Sequence, residues 1–181
     1  MMTGDLCIFC AFGASQRVFQ EDTELHGGTY SARIQSIDAF GGIIVNGAMT
    51  TGQVTAPSTT PSQGCNQTLT GNSSFNHPFT YEPDSLVFWA RYNLTDANDS
   101  ARVTFVLHDD YNLRDPQNAA SVSHVIASAQ ANFQTGNTWE RISVPFDYSG
   151  VSTLYRTCWQ RLRLAIFRVL VMPTQRCMWM I

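Results

Sequence analysis

Apolar and polar residues alternate with a period of two through the middle of this chain. Asp84-Ser85 opens a run in which Leu86, Phe88, Ala90 and Tyr92 share one face, while Val87, Trp89 and Arg91 share the other. Residues 101–108 repeat the pattern, with Ala101, Val103, Phe105 and Leu107 inward and Arg102, Thr104, Val106 and His108 opposite. Residues 124–133 repeat it again through Val125, Ala127, Ala129, Ala131 and Phe133. Residues 139–146 form another strand, in which Pro145 marks an edge or an end because it lacks an amide donor. Upstream, residues 30–36 read as a strand entered through Gly27-Gly28, and residues 43–45 resume one after a Gly41-Gly42 turn. Polar stretches at 56–74 and 95–100 are a surface loop and a turn. The body has no helical period and no fixed-length repeat. Short strands separated by turns predict an all-β fold, an antiparallel β-sandwich of jelly-roll type. Phe88, Phe105 and Phe133 belong to its core.

A length of 181 residues suits one domain. Charge changes the picture more than size does. Lysine is absent, and the net charge of −3 is unevenly spread. Arg156, Arg161, Arg163, Arg168 and Arg176 lie after Leu154 with no acidic residue among them, which leaves six arginines against fourteen acids and a net of −8 before it. An acidic body excludes a nucleic-acid partner, because phosphate binding needs clustered cations. No run approaches the ~20 apolar residues of a membrane helix, so no membrane span is expected. No signal peptide is visible: the apolar stretch 6–14 is short and lacks a basic flank. Cys7 and Cys10 have C-x-x-C spacing, but no second pair is spaced for zinc. The chain carries no G-x-S-x-G elbow, no P-loop and no dinucleotide fingerprint.

Two groups of residues carry candidate chemistry. Trp89, Tyr92, Tyr111 and Trp139 could form a platform on which the apolar face of a sugar stacks, with Arg91 beside Trp89 supplying polar contacts. The alternative for each aromatic is core packing. His108-Asp109-Asp110-Tyr111 ends a strand and enters a loop, where ligand groups are often placed. Asp109 or Asp110, with Asp115, could bond sugar hydroxyls. Asp110 and Asp115 could also hold Ca²⁺, a hard cation that takes oxygen ligands; the alternative is that they cap turns around Asn112 and Pro116. Asp109 and Asp110 are adjacent, so as strand residues they point to opposite faces and do not flank one glycosidic bond. His77 orders a loop, and His124 opens a strand and bonds locally.

Five blocks carry a resemblance: "HGGTYSARIQS" from His26, "GAMTTGQV" from Gly47, "NHPFTYEPDSLVFWARYN" from Asn76, "ARVTFVLHDDYNLRDP" from Ala101 and "HVIASAQANFQTGNTWERISVPFDYSG" from His124. In this order they resemble the PCMD family, the putative carbohydrate metabolism domain, from about Val18 to Gly150. The resemblance implies a sandwich akin to carbohydrate-binding modules. It also implies an extracellular, cell-surface or periplasmic protein of Bacteroidota-like bacteria, with a glycan or polysaccharide as partner. It transfers no catalytic residue. Three functions are expected from different classes: a glycan-binding module, a glycoside-active enzyme using Asp109 or Asp110, and a structural adhesion module that packs against neighbouring domains of a longer exported protein. The chain then divides into an N-terminal segment 1–17, a module 18–153 and an Arg-rich tail 154–181.

The resemblance stops after Gly150. Cys177-Met178-Trp179-Met180-Ile181 must be encoded TGY ATG TGG ATG ATH. Skipping two bases gives YAT GTG GAT GAT, which reads Tyr or His and then Val-Asp-Asp, the ending expected of such a module. Codons allowed for residues 167–176 permit Pro-Gly-Val-Gly-Asp-Ala-Asn-Ala-Lys in the same frame. The expectation is a frameshift near Ser152 or Thr153 and a sandwich lacking its native last strand. The alternative is an amphipathic helix through Leu162, Ala165, Ile166, Val169 and Leu170.

Overall fold

The computed structural model describes residues 16–40, 43–55, 65–93 and 99–150, and the backbone of three strands beyond them. Gly41-Gly42, residues 56–64 of the 56–74 loop, residues 95–98 of the 95–100 turn and the Cys7-Cys10 pair lie outside the described residues. In chain order the strands are β1 (Val18–Glu21), β2 (Ser31–Gln35), β3 (Ile37–Phe40), β4 (Ile43–Val45), β5 (Gly47–Thr50), β6 (Gln53–Thr55), β7 (Cys65–Gln67), β8 (His77–Pro78), β9 (Ser85–Asn93) and β10 (Ala101–His108). Then follow β11 (Arg114–Asp115), the one-turn helix α1 (Ala119–Val122), β12 (Val125–Phe133), β13 (Glu140–Pro145), β14 (Arg163–Leu164), β15 (Arg168–Val171) and β16 (Arg176–Met180).

The predicted all-β, antiparallel sandwich is what the chain adopts. One sheet runs β1-β2-β16-β9-β13. In the other, β10 pairs β12 along one side and β15 and β14 along the other, with β5 and β8 beyond them. Pro145 lies in β13, the sheet-edge strand, where its missing donor costs nothing.

Alternation becomes packing at the contact between these sheets. Ile34, Phe88, Ala90, Tyr92, Ala101, Val103, Ala129 and Val144 form one buried cluster, flanked by Phe105, Phe133 and Ile142. Phe88 meets Phe133 edge-on at 5.6 Å, and Phe105 meets Phe146 at 5.4 Å. Each fully buried aliphatic side chain such as Ile34 contributes ~1.5–3 kcal/mol.

Two expectations need correction. Val125 was placed on the inward face with Ala127, but a bulge between Leu107 and His108 shifts the register there. The extra residue turns Val125 to the far side of β10, against Val106 and Leu113, and leaves Ile126 packing with Leu107. Within the predicted 56–74 loop, Cys65–Gln67 is a strand paired with β6 and β11, because Arg114–Asp115 offers it an edge. The tail beyond Gly150 also adds strands to both sheets. Arg176–Met180 lies between β2 and β9, and Arg168–Val171 lies between β5 and β10. These stretches are extended, so the helical alternative does not hold for them.

Close approach explains one glycine. A Cβ at Gly47 would lie 2.6 Å from the Gln35 carbonyl carbon, and the Gly47 amide donates to Ser36 Oγ at 2.9 Å. Between β1 and β2, Arg33 pairs with Glu21 at 3.3 Å and sits 4.7 Å over the Phe19 ring. The Thr23 hydroxyl, then its amide, donates to Glu21 and, with Arg33 adding a smaller pull, holds that carboxyl below its ordinary range.

Candidate functional site

Two side-chain clusters stand out, on opposite outer faces of the sandwich. The first is on β9 and β13. Because Phe88, Ala90 and Tyr92 point into the core, Val87, Trp89 and Arg91 point away from it. The antiparallel register sets Trp89 opposite Arg141 and Val87 opposite Ser143. Trp139 precedes β13 and has the parity of Arg141, so tryptophan and arginine alternate over this face.

A two-residue turn holds Trp139 in place. Gly136 and Asn137 have φ of 54° and 66°, and the Thr138 amide donates to the Thr135 carbonyl at 3.0 Å. This is a type I′ turn, with positive φ at both central residues, and it carries the chain from β12 in one sheet to β13 in the other. The turn also docks on β9: the Tyr92 amide donates to Thr135 Oγ1 at 2.6 Å, and the Asn137 amide donates to the Tyr92 carbonyl at 3.1 Å.

Arg91 then joins three segments. Its Nε donates to the Asn137 carbonyl and to Asn137 Oδ1, each at 3.1 Å, and its Nη1 lies 2.6 Å from Glu24 Oε2. Glu24 belongs to the loop 22–30, which also brings His26 onto Trp89. The two rings are stacked, 3.6 Å apart and 17° from parallel, and His26 lies 6.1 Å from Trp139. His26 is exposed, whereas Trp89 and Trp139 are half-buried. The result is a cluster of three rings from three segments, bordered by a guanidinium, a carboxylate and an amide.

The second cluster lies in the loop after β10. The Tyr111 amide donates to the Asp109 carbonyl, and the Asp109 amide donates to the His124 carbonyl. The Asp109 carboxylate is 2.8 Å from His124 Nδ1, and Tyr111 stacks on His124 at 3.8 Å and 3°. Asp109 is buried, while His124 keeps a third of its side chain in solvent. Asn112 Oδ1 accepts from the Thr70 amide at 2.8 Å and from its hydroxyl, which ties this loop to residues 68–76.

The predicted site residues therefore separate. Trp89, Arg91 and Trp139 come together. Tyr111, Asp109 and Asp110 sit across the molecule, because the loop rests on the far side of Val106 and Leu113. Two members of the predicted ligand set are corrected. Tyr92 is fully buried among Ala90, Ala101 and Val103, as its own strand parity requires. His108 is also fully buried, its Nδ1 2.5 Å from the Asp109 carbonyl. Neither reaches a ligand from solvent. Asp109 faces inward on His124 while Asp110 is exposed, so the two carboxylates do not share one space. Asp115 lies in β11 opposite Asn66. Among the described residues no three His, Cys, Asp or Glu side chains converge.

Four contributors were not foreseen: Glu24, His26, Asn137 and the Asp109 partner role of His124. Gly136-Asn137, a residue pair suited to φ > 0, signalled the turn. Nothing local signalled His26 on Trp89.

The fold and this face define an all-β sandwich with an aromatic and cationic outer surface. No family model and no curated protein matches the sequence. Among solved structures, the chain is similar to a putative glycoside hydrolase from Bacteroides thetaiotaomicron, with a TM-score of 0.62 and 11% identity over 94% of this chain. This chain spans 58% of the length of that one. At such identity the likeness shows a shared fold. No described helix is long and apolar enough to cross a membrane.

Proposed function

We propose that this chain is a non-catalytic glycan-binding module of an exported bacterial protein, of the PCMD type its sequence resembles. The observation that carries the reading is the His26–Trp89–Trp139 ring cluster edged by Arg91, Glu24 and Asn137. Rings supply apolar area at low entropic cost, and fixed polar groups at their border select hydroxyl orientation. The putative glycoside hydrolase fold relative and the family resemblance both point to carbohydrate. The test is retardation in gels loaded with soluble polysaccharides. Wild type is retarded, and Trp89→Ala and Trp139→Ala each abolish the retardation while circular dichroism stays unchanged. Equal retardation of folded Trp89→Ala refutes the reading.

The buried Asp109 beside a part-exposed His124 favours a second reading, a glycoside-active enzyme. It requires hydrolysis of a labelled polysaccharide that Asp109→Asn abolishes without loss of fold. Asp110→Asn serves as the parallel variant.

The tail carries its own proposal, a frameshift near Ser152 or Thr153. The forced Val-Asp-Asp reading supports it. Sequencing the locus decides it: an uninterrupted frame whose codons exclude Tyr-Val-Asp-Asp and His-Val-Asp-Asp ends the idea.

A further inference from the structure

We infer that the glycan taken by the β9–β13 face is acidic, and that Arg141 reads its carboxylate. The inference rests on the glycan-binding reading and adds the ligand's charge. It starts from Arg33, Arg91 and Arg141, three arginines that β2, β9 and β13 turn to this outer face. Arg33 is held by Glu21 at 3.3 Å and lies over Phe19. Arg91 is held by Glu24 at 2.6 Å and by Asn137. Both are neutralised, and both have a structural task. Arg141 differs: it is exposed, and among the described residues its side chain makes neither an ion pair nor a hydrogen bond. Its position is fixed all the same, because its Cα is the register partner of Trp89. Cross-strand partners hold their Cβ atoms ~5 Å apart.

The neighbouring acids do not cancel it. Glu140 has the opposite strand parity and takes a bond from Thr138 Oγ1 at 3.4 Å. Asp22 lies in the loop that Glu24 ties to Arg91. An unpaired guanidinium thus stands beside an aromatic cluster on a protein whose body is acidic. A pyranose bearing a carboxylate matches both halves. Its apolar face suits the His26, Trp89 and Trp139 rings, and its carboxylate can accept two parallel N–H bonds from a planar guanidinium. A neutral sugar would use the rings and leave Arg141 idle.

The experiment compares polygalacturonate with neutral xylan as affinity-gel ligands for the full chain, with dissociation constants from calorimetry. Wild type binds polygalacturonate at least about tenfold more tightly than xylan, and 0.5 M salt narrows the gap, roughly as expected for a screened charge. Arg141→Ala removes the preference and leaves xylan binding unchanged, while Arg141→Lys keeps part of it. Arg102→Ala makes the same charge change on the opposite sheet and leaves the preference intact. Xylan binding equal to polygalacturonate binding, or a preference that survives Arg141→Ala, overturns the inference while the glycan-binding reading stands. Binding to neither polymer overturns both. A preference for sulfated dextran over polygalacturonate overturns the carboxylate assignment alone.

Discussion

Replacing Thr135 by valine tests whether the turn between β12 and β13 is what positions the ring cluster. Thr135 is 1% exposed, and its hydroxyl oxygen is the acceptor for the Tyr92 amide at 2.6 Å. Valine keeps the branched shape and puts a methyl in place of the hydroxyl, which removes that acceptor at a buried backbone donor. Stranding such a group costs ~1–3 kcal/mol. For a chain of this size each kcal/mol lowers Tm by ~2–4 °C, so a midpoint loss corresponds to about 4–8 °C. Thr135→Ser is the control: it keeps the acceptor and loses one methyl, worth ~0.8 kcal/mol. Thermal melts followed by circular dichroism should therefore rank wild type, Ser and Val in falling order. The functional consequence is larger than the stability loss, because the same turn carries Asn137, which holds Arg91, and leads into Trp139. Thr135→Val should lose polysaccharide retardation at temperatures where it is still folded. A valine variant as stable as the serine variant, with normal retardation, refutes the account of the turn.

Three further outcomes follow from named contacts. Asp109→Asn and His124→Phe should show a coupling of ~1 kcal/mol or more in a urea double-mutant cycle, since their 2.8 Å contact is largely shielded from water; additive effects would deny the pair. Gly47→Ala should destabilise by ~1–3 kcal/mol, because a Cβ there meets Gln35 backbone that cannot swing aside; unchanged urea midpoints would contradict the close approach. Glu21 has its pKa lowered by folding, so its contribution is present above its unfolded value near 4.5 and is lost as pH falls through the lower folded value. Thr23→Val removes the hydroxyl that is the largest cause, and an NMR titration should then find the Glu21 carboxyl closer to 4.5; an unmoved titration would reject that cause.

Local pattern and long-range placement account for what was and was not readable beforehand. β9 and β10 were legible to within a residue, with the correct inward sets, because a period of two is written into consecutive positions. The same parity already implied that Tyr92 is core, since it shares the face of Phe88 and Ala90; grouping it with Trp89 ignored that. The fate of Val125 was not legible, because one bulged residue inverts the faces of everything before it. Nor was the short strand Cys65–Gln67, whose composition is that of a loop and whose conformation comes from two neighbouring edges.

The amino-acid sequence by itself determined that this is a β-protein, which strands it has in the middle of the chain, and that Trp89 and Arg91 share the strand face opposite Phe88, Ala90 and Tyr92. Those properties depend on alternation within a strand and on turn residues such as Gly136 and Asn137. Only the tertiary structure decided that His26 covers Trp89, that Glu24 reaches Arg91 across 67 positions of sequence, and that Tyr111 belongs to another face. The reason is sheet order: which strands become neighbours is set by burying two faces at once, and no local window of sequence contains that choice.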